Sequence, residues 1–304
     1  MPRYLLPILL TITAFDVAAL GVTIDKKPYH EWADAISMTN GVATVVVVPS
    51  IGRVMAFGLN GKVETPFWNN RALDGKLVVA GKEWINFGGD KSWPAPQSEW
   101  QKIVAPTQGG SWPPPWGFDA SVNVATIKGE QIELLSPVDI SFGIRVRRLI
   151  TLDKTKAEMT IQTTYEKMTG DPRRVAVWTI TQLQSPKEAT ATIASGTWKK
   201  QSDAPPHNLQ NKPNLVSIDR DPAKSVKIGT NGNILTWRGD VTLEIEVLQQ
   251  PNEPNSVWPD EGCKIEIYTN PDPLPYVELE TLGPLHTLKV GDRISATNRY
   301  RLRP

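Results

Sequence analysis

The order of apolar and polar positions along the chain predicts one β-strand after another. Residues 241–247 (VTLEIEV) alternate between apolar and polar side chains, which is the pattern of a strand buried on one face. Residues 42–48 (VATVVVV) form a continuous β-branched run, which is typical of a strand buried on both faces. Further strands are predicted at residues 54–59, 131–135, 142–152, 157–165, 174–183, 263–269, 276–282 and 293–302. We predict one short helix, at residues 29–36.

Many strands joined by short polar turns predict an all-β sandwich or barrel. The chain has 304 residues, and no internal repeat or shift of composition divides it, so we expect one domain over residues 22–304. Three segments depart from the strand pattern: residues 86–115 are rich in Gly, Pro and Trp, and residues 199–213 and 251–259 are polar with prolines. Long irregular segments in a β scaffold often carry function.

The first 21 residues have the pattern of an export signal. Arg3 precedes an apolar run over residues 4–15, and Ala19-Leu20-Gly21 fits the small-x-small pattern of a cleavage site. The run is shorter than the roughly 20 residues that a membrane span needs. We therefore expect an exported protein, periplasmic or secreted, without stable membrane insertion after cleavage. A buried N-terminal strand or helix is the competing interpretation.

Composition narrows the classes of function. A net charge of +1 gives no sign of the excess of positive charge that nucleic-acid binding requires. One cysteine excludes a disulfide framework, and with only three histidines it argues against a metal centre. The chain has no phosphate loop, dinucleotide fingerprint or serine nucleophile motif, so no cofactor is expected. Cys263 alternates with polar neighbours and is predicted to be a buried, unreactive side chain.

The tryptophans concentrate in one segment, because five of the eleven lie between Trp84 and Trp116. Prolines beside them restrict the backbone, and an indole face matches the C–H face of a sugar ring. Polar side chains between the rings can bind sugar hydroxyls. The candidate contacts are Asp90, Lys91, Trp93, Gln97, Trp112 and Trp116. The competing interpretation is a satellite hydrophobic core beneath a long loop.

Several short motifs, in this order, carry a family resemblance. They are PFWNN at 66–70, GGDKSWPAPQ at 88–97, WPPPW at 112–116, VWTITQ at 177–182, YVELE at 276–280 and TLKVGD at 287–292. Together they resemble an uncharacterised family of mostly bacterial proteins with a galactose-mutarotase-like fold. The resemblance spans residues 42–302 and implies a supersandwich of two large antiparallel sheets, with a sugar-binding groove on one concave face.

The resemblance also implies a candidate chemistry. Galactose mutarotases use a carboxylate base on a late strand and a histidine acid on a mid-chain strand. Glu280, and less strongly Glu278, fits the base, since both share one face of the predicted strand 276–282. Trp178 and Gln182 share a face of the mid-chain strand, where they offer stacking and hydrogen bonding. No histidine falls on that strand; a strongly perturbed Lys91 or Asp90 could supply the acid, and carbohydrate binding or a different reaction on a sugar stays open.

Two further residues are weaker candidates for the site. Arg148 lies among apolar neighbours on its predicted strand, where it would brace the groove, although a structural ion pair is the favoured role. Asn69 lies in the PFWNN motif. Our leading hypothesis is an exported protein that binds a mono- or oligosaccharide. The alternatives are an epimerase-like enzyme with Glu280 as general base and a structural or assembly protein. The oligomeric state is left open.

Overall fold

Two large antiparallel β-sheets make up most of the chain that the structure describes. The computed structural model describes residues 21–62, 65–77, 84–108, 112, 114–248 and 256–304. Among these residues no helix has the length and apolar character to cross a bilayer. Apart from Gly21, the predicted export signal lies outside the described residues.

The strands are short and follow one another closely. In chain order they are β1 Thr23–Lys26, β2 Ile36–Thr39, β3 Ala43–Val48, β4 Arg53–Leu59, β5 Asp90–Ala95, β6 Val124–Lys128, β7 Gln131–Val138, β8 Ile144–Leu152, β9 Glu158–Lys167, β10 Arg173–Gln184, β11 Glu188–Thr192, β12 Lys199–Lys200, β13 His207–Lys212, β14 Leu215–Asp219, β15 Val226–Thr230, β16 Ile234–Arg238, β17 Thr242–Val247, β18 Ile265–Thr269, β19 Tyr276–Leu282, β20 His286–Leu288 and β21 Arg293–Arg303.

Helical segments are each a single turn. They are α1 Trp100–Ile103, α2 Ala105–Gln108, α3 Trp116–Asp119 and α4 Pro259–Gly262, with 3₁₀ turns at Pro49–Ile51, Arg71–Leu73 and Gln97–Glu99. Asp260 and Glu261 inside α4 have left-handed φ angles, so this segment is a turn rather than a regular helix.

The strand order defines two sheets. The first sheet runs β1-β2-β3-β4-β5-β10-β19-β18-β15-β12, with β20 pairing with one end of β10. The second sheet runs β13-β14-β11-β16-β17-β21-β9-β8-β7-β6. This architecture confirms the predicted all-β supersandwich.

The main hydrophobic core lies between the two sheets, and it determines which way each strand's side chains point. Val277 and Leu279 of β19 belong to this core together with Ile265 and Ile267 of β18. Because side chains alternate along a strand, the residues between them lie on the opposite side of the first sheet. We call that side, which faces away from the second sheet, the outer face.

Some predicted elements differ from the structure. The short helix predicted at 29–36 is wrong, because Tyr29 and Trp32 form an isolated bridge and Ile36 already begins β2. The irregular segment 86–115 contains β5, which lies in the middle of the first sheet between β4 and β10. The segment 199–213 contains β12 and β13. Of the segment 251–259, only its end from residue 256 is described.

Candidate functional site

The register of the first sheet gathers charged and aromatic side chains on its outer face. Trp178 and Ile180 of β10 lie opposite Trp93 and Lys91 of β5. Paired residues of neighbouring strands project to the same side of a sheet. We name as the charged cluster five side chains of this face from β5, β15, β18 and β19: Lys91, Lys227, Glu266, Glu278 and Glu280.

Glu280 is held by two donors. Its Oε2 atom accepts a hydrogen bond of 2.7 Å from the indole Nε1 of Trp178 and lies 2.8 Å from the ammonium of Lys227. Lys227 also lies 2.7 Å from Glu266 and 4.6 Å from the centre of the Trp178 ring. Burial lowers the pKa of Lys227, but the charges of Glu266 and Glu280 outweigh this effect and shift it upwards. Lys227 is therefore a cation that contacts both Glu266 and Glu280.

The other two carboxylates hold protons near neutral pH. Burial, with a further contribution from the charge of Glu280, raises the pKa of Glu278 to about 7. Burial raises the pKa of Glu266 to about 8, against the opposing effect of Lys227. Glu278 Oε1 accepts a hydrogen bond of 2.7 Å from Gln182 Nε2. Glu278 is 8 % exposed and Glu280 only 1 %, so Glu278 is the more accessible of the two.

Lys91 is a buried amine enclosed by aromatic rings. Its Nζ atom lies 4.0 Å from the centre of the Trp93 ring and 5.3 Å from that of Trp84. It lies 3.7 Å from Asp119 Oδ1, and no hydrogen-bond partner for Nζ occurs among the described residues. Burial, followed by the charge of Arg53, lowers the pKa of Lys91 to about 8. Lys91 thus also titrates near neutrality.

The tryptophans divide into buried and exposed members. Trp93 and Trp178 meet edge to face at 5.5 Å and belong, with Trp100, to a second hydrophobic core. Trp93 and Trp100, which come from the Trp-rich segment, therefore fit the satellite-core interpretation. Trp112 lies 6.0 Å from Trp93 and is 48 % exposed, so it offers an indole to solvent. Trp116 is half-buried at the start of α3.

Asp90 and Arg148 lie on the opposite side of the first sheet from the charged cluster. Arg148 Nη2 contacts Asp90 Oδ1, and Arg148 Nη1 donates a 3.0 Å hydrogen bond to the Asp90 backbone oxygen. Tyr300 and Thr181 donate to Asp90 Oδ2 at 2.7 and 2.6 Å. Since Asp90 precedes Lys91 on one strand, the two side chains cannot share a face. Asp90, predicted as a contact of the site, instead forms an ion pair between the sheets with Arg148, for which a structural ion pair was the favoured role.

Two other predicted residues lie apart from the charged cluster. Gln97 is exposed in a 3₁₀ turn. The amide of Asn69 is used locally: it accepts a 2.7 Å hydrogen bond from Tyr29 and donates one of 2.9 Å to the Met55 carbonyl. Neither side chain contacts the charged cluster in the part of the chain that the structure describes.

Sequence reasoning missed three residues of this site. Glu266 alternates with apolar residues in its predicted strand, so the sequence pattern could have placed it on the polar face of that strand. Lys227 lies on β15, which was not predicted. Asp119 accepts hydrogen bonds from Arg53, Trp84 and Trp93, and these contacts bring together segments that are distant in sequence. The described residues contain no group of three or more acidic, His or Cys side chains placed to hold a metal ion.

Comparisons with known proteins agree with the fold. A family model described as "Domain of unknown function (DUF4380)" matches residues 33–303. A comparison with curated proteins found no match. Among solved structures, a galactose mutarotase-like protein from Lactobacillus casei superposes with a TM-score of 0.59 at 8 % identity, covering 88 % of this chain and 100 % of that one. One from Clostridium acetobutylicum gives 0.56 at 10 % identity, with coverages of 93 % and 99 %.

A third similar structure is larger than this chain. It is a TPR-domain containing protein from Parabacteroides distasonis, with a TM-score of 0.56 at 13 % identity. The match covers 88 % of this chain but 47 % of that protein, so the chain spans about half of its length. At these identities the likeness shows the fold alone.

Proposed function

The chain belongs to the DUF4380 family and has a galactose-mutarotase-like fold; we propose that it is an exported protein that binds a saccharide on the outer face of its first sheet. The contacts come from Lys91, Gln182, Glu278 and Glu280, beside the indoles of Trp93, Trp112 and Trp178. Export rests on the sequence pattern of residues 1–21, and mass spectrometry of the mature N-terminus in the exported fraction tests it.

The observation that carries this proposal is a set of polar atoms with unused hydrogen-bonding capacity between aromatic rings. Lys91 Nζ and Gln182 Oε1 are buried without a hydrogen-bond partner among the described residues. Leaving such groups unpaired costs about 1–3 kcal/mol each, which a ligand with hydroxyl groups recovers. Sugars combine hydroxyls with an apolar C–H face, and this surface offers partners for both. The exposed Trp112 supplies the indole at the solvent side.

A fluorescence titration tests the binding. Saccharides should quench or shift the tryptophan emission, and calorimetry should give the same dissociation constant. Replacing Trp178 with Phe removes the indole Nε1 that donates to Glu280 and should weaken binding about tenfold. Trp32→Phe is the matched control, since Trp32 is a buried indole of another hydrophobic core. Equal losses in both variants, or no response to any saccharide, would contradict the proposal.

An epimerase-like or mutarotase-like reaction is the second candidate, because two groups of the same face titrate near neutrality. Efficient acid–base catalysis needs pKa values close to the working pH, and those of Glu278 and Lys91 lie at about 7 and 8. Glu278 would take the proton of the anomeric hydroxyl while the Lys91 ammonium gives one to the ring oxygen, which opens the ring. We assign the base to Glu278 rather than to Glu280, since Glu280 is already engaged by Trp178 and Lys227.

Anomer exchange followed by polarimetry or NMR separates the two candidates. Enzymatic turnover should disappear in Glu278→Gln while saccharide binding persists. Saccharide binding without any acceleration of exchange would leave the binding function alone. Failure of both assays would leave the structural or assembly hypothesis.

A further inference from the structure

An open groove lies beside the charged cluster on the same face of the first sheet. It has a volume of about 770 Å³, within the range of about 300–1,000 Å³ that is usual for ligand pockets. Val46 of β3 and Ala56 of β4 line its floor. Their neighbours Val45 and Phe57 face the core between the sheets, so the groove opens on the outer face.

The groove meets the charged cluster at a pair of aromatic rings. Trp68 lines the groove, and its ring lies 4.7 Å from that of Tyr276. Tyr276 shares a face of β19 with Glu278. The Trp68 segment is fixed there because the Trp68 backbone N–H donates to the Gln182 carbonyl at 2.9 Å. A ligand in the groove would therefore lie next to one held by the charged cluster.

The groove also continues in the other direction. A second cavity of about 490 Å³ shares four lining residues with it and extends to Trp237. The shared residues are Lys62, Thr65, Gln184 and Ser185. A ligand that occupies both cavities would have to be an extended chain.

The described lining of the groove and its continuation has an excess of positive charge, because Lys187 and Asp240 of the second cavity pair with each other at 2.9 Å. Among the described residues that line the first cavity, the side chains that carry or can gain a charge near neutral pH are His30, Lys62 and Arg71. Asp74 accepts a 2.7 Å hydrogen bond from Arg71 Nε, and neither terminal nitrogen of Arg71 has a partner among the described residues. Burial, followed by the charge of Arg71, lowers the pKa of His30, so Lys62 and Arg71 supply the positive charge.

From this geometry we infer that the groove binds the continuation of an acidic oligosaccharide, a chain whose sugar units carry carboxylate groups. The inference rests on the proposed saccharide site and names its substrate class. The terminal nitrogens of a guanidinium match a carboxylate in pairs, and the Trp68 ring offers a stacking face to a sugar. The charged cluster would hold one unit, and Lys62 and Arg71 would select the acidic units that follow.

Trigalacturonate and its fully methyl-esterified form are the probes, because they share length and linkage and differ in charge. The wild-type protein should bind the acid about tenfold more tightly than the ester, and added salt should reduce this preference. In the double variant Lys62→Gln/Arg71→Gln the ratio of the two affinities should fall towards one. The control Lys154→Gln/Arg303→Gln removes the same charge from the second sheet and should keep the wild-type ratio.

The outcomes separate this inference from the proposed function. Equal affinity for acid and ester, with both lost in Trp178→Phe, would overturn the acidic groove and leave the saccharide site standing. An acid preference that depends on Lys62 and Arg71 but not on Trp178 would support the groove and overturn the site at the charged cluster. No binding of either trisaccharide would overturn the acidic groove, and the fluorescence titration with other saccharides would then decide the proposed site separately.

Discussion

The ion pair between Arg148 and Asp90 should contribute to stability rather than to ligand binding. Arg148 of the second sheet reaches across the core to Asp90 of the first, and both side chains are almost fully buried, 3 % and 0 % exposed. Replacing Arg148 with Met keeps most of the apolar stem and removes the guanidinium. Among the described residues, the Asp90 carboxylate then keeps the hydrogen bonds from Thr181 and Tyr300.

The expected loss follows from this arrangement. Breaking a buried ion pair on one side costs about 3–5 kcal/mol, and because two neutral donors stay in place we expect about 3 kcal/mol. The double variant Arg148→Met/Asp90→Asn leaves no buried charge without a partner and should recover at least about 1 kcal/mol of that loss. Such a loss is large against a typical total stability of about 5–15 kcal/mol.

Urea unfolding followed by tryptophan fluorescence and circular dichroism measures the effect. The midpoint should fall while the slope of the transition stays constant. Arg145→Met is the matched control, since Arg145 lies on the same strand, pairs with Glu166 on the outside and is 27 % exposed. Arg147 also binds Glu166, so the control should cost less than about 1 kcal/mol.

Two results would refute this reasoning. Equal shifts of the midpoint in Arg148→Met and Arg145→Met would mean that the pair between the sheets contributes no more than a surface contact. Loss of saccharide binding in Asp90→Asn, with an unchanged unfolding midpoint, would return Asp90 to the binding site.

Three further predictions follow from burial and backbone geometry. The folded protein keeps a proton on Glu266, because the pKa of this side chain is raised from 4.5 to about 8, so the free energy of unfolding should fall as pH rises from about 5 to 8. In urea titrations at several pH values, Glu266→Gln should flatten this decline, and an equally steep decline in the variant would contradict the prediction. Cys263 is buried with its pKa raised to about 12, so a thiol reagent should label it only in denaturant, and rapid labelling of the native protein would disprove its burial. Gly88→Ala should lower the free energy of unfolding by more than about 2 kcal/mol, because φ is +89° and a Cβ would collide with the Trp68 carbonyl. The control Gly61→Ala, at φ +80° in open space, should lower it by about 1 kcal/mol, and equal denaturation midpoints of the two variants would contradict the predicted collision.

Strands with a plain alternating pattern were predictable from the sequence to within a residue or two. The strand predicted at 276–282 matches β19 at both ends, because its acidic and apolar residues separate cleanly by face. β5 was not predicted, since glycine, proline and tryptophan around Asp90–Ala95 are typical of a loop. Its pairing with β10 over six residues forms the strand in spite of Pro94.

The candidate site was predictable only in part. The period of two residues along a strand predicted that Trp178 and Gln182 share one face of their strand. It predicted the same for Glu278 and Glu280 on another strand. Their mutual contacts required the register between β10 and β19, which sets Gln182 opposite Glu278. Lys227 could not be assigned to the site from the sequence, because its contacts depend on the pairing of its strand with β18 and of β18 with β19.

Which side chains share a strand face follows from the sequence alone, because alternation along an extended chain is a local property. Asp90 and Lys91 point to opposite sides because they are neighbours in β5, a strand that the sequence pattern did not reveal. Only the tertiary structure decided which side faces the second sheet and which faces outwards. Burial and the distance between charges depend on strands that are remote in sequence, and these two quantities set the pKa values of Lys91 and Glu278. The physical properties that a binding or catalytic site needs therefore arose only on folding.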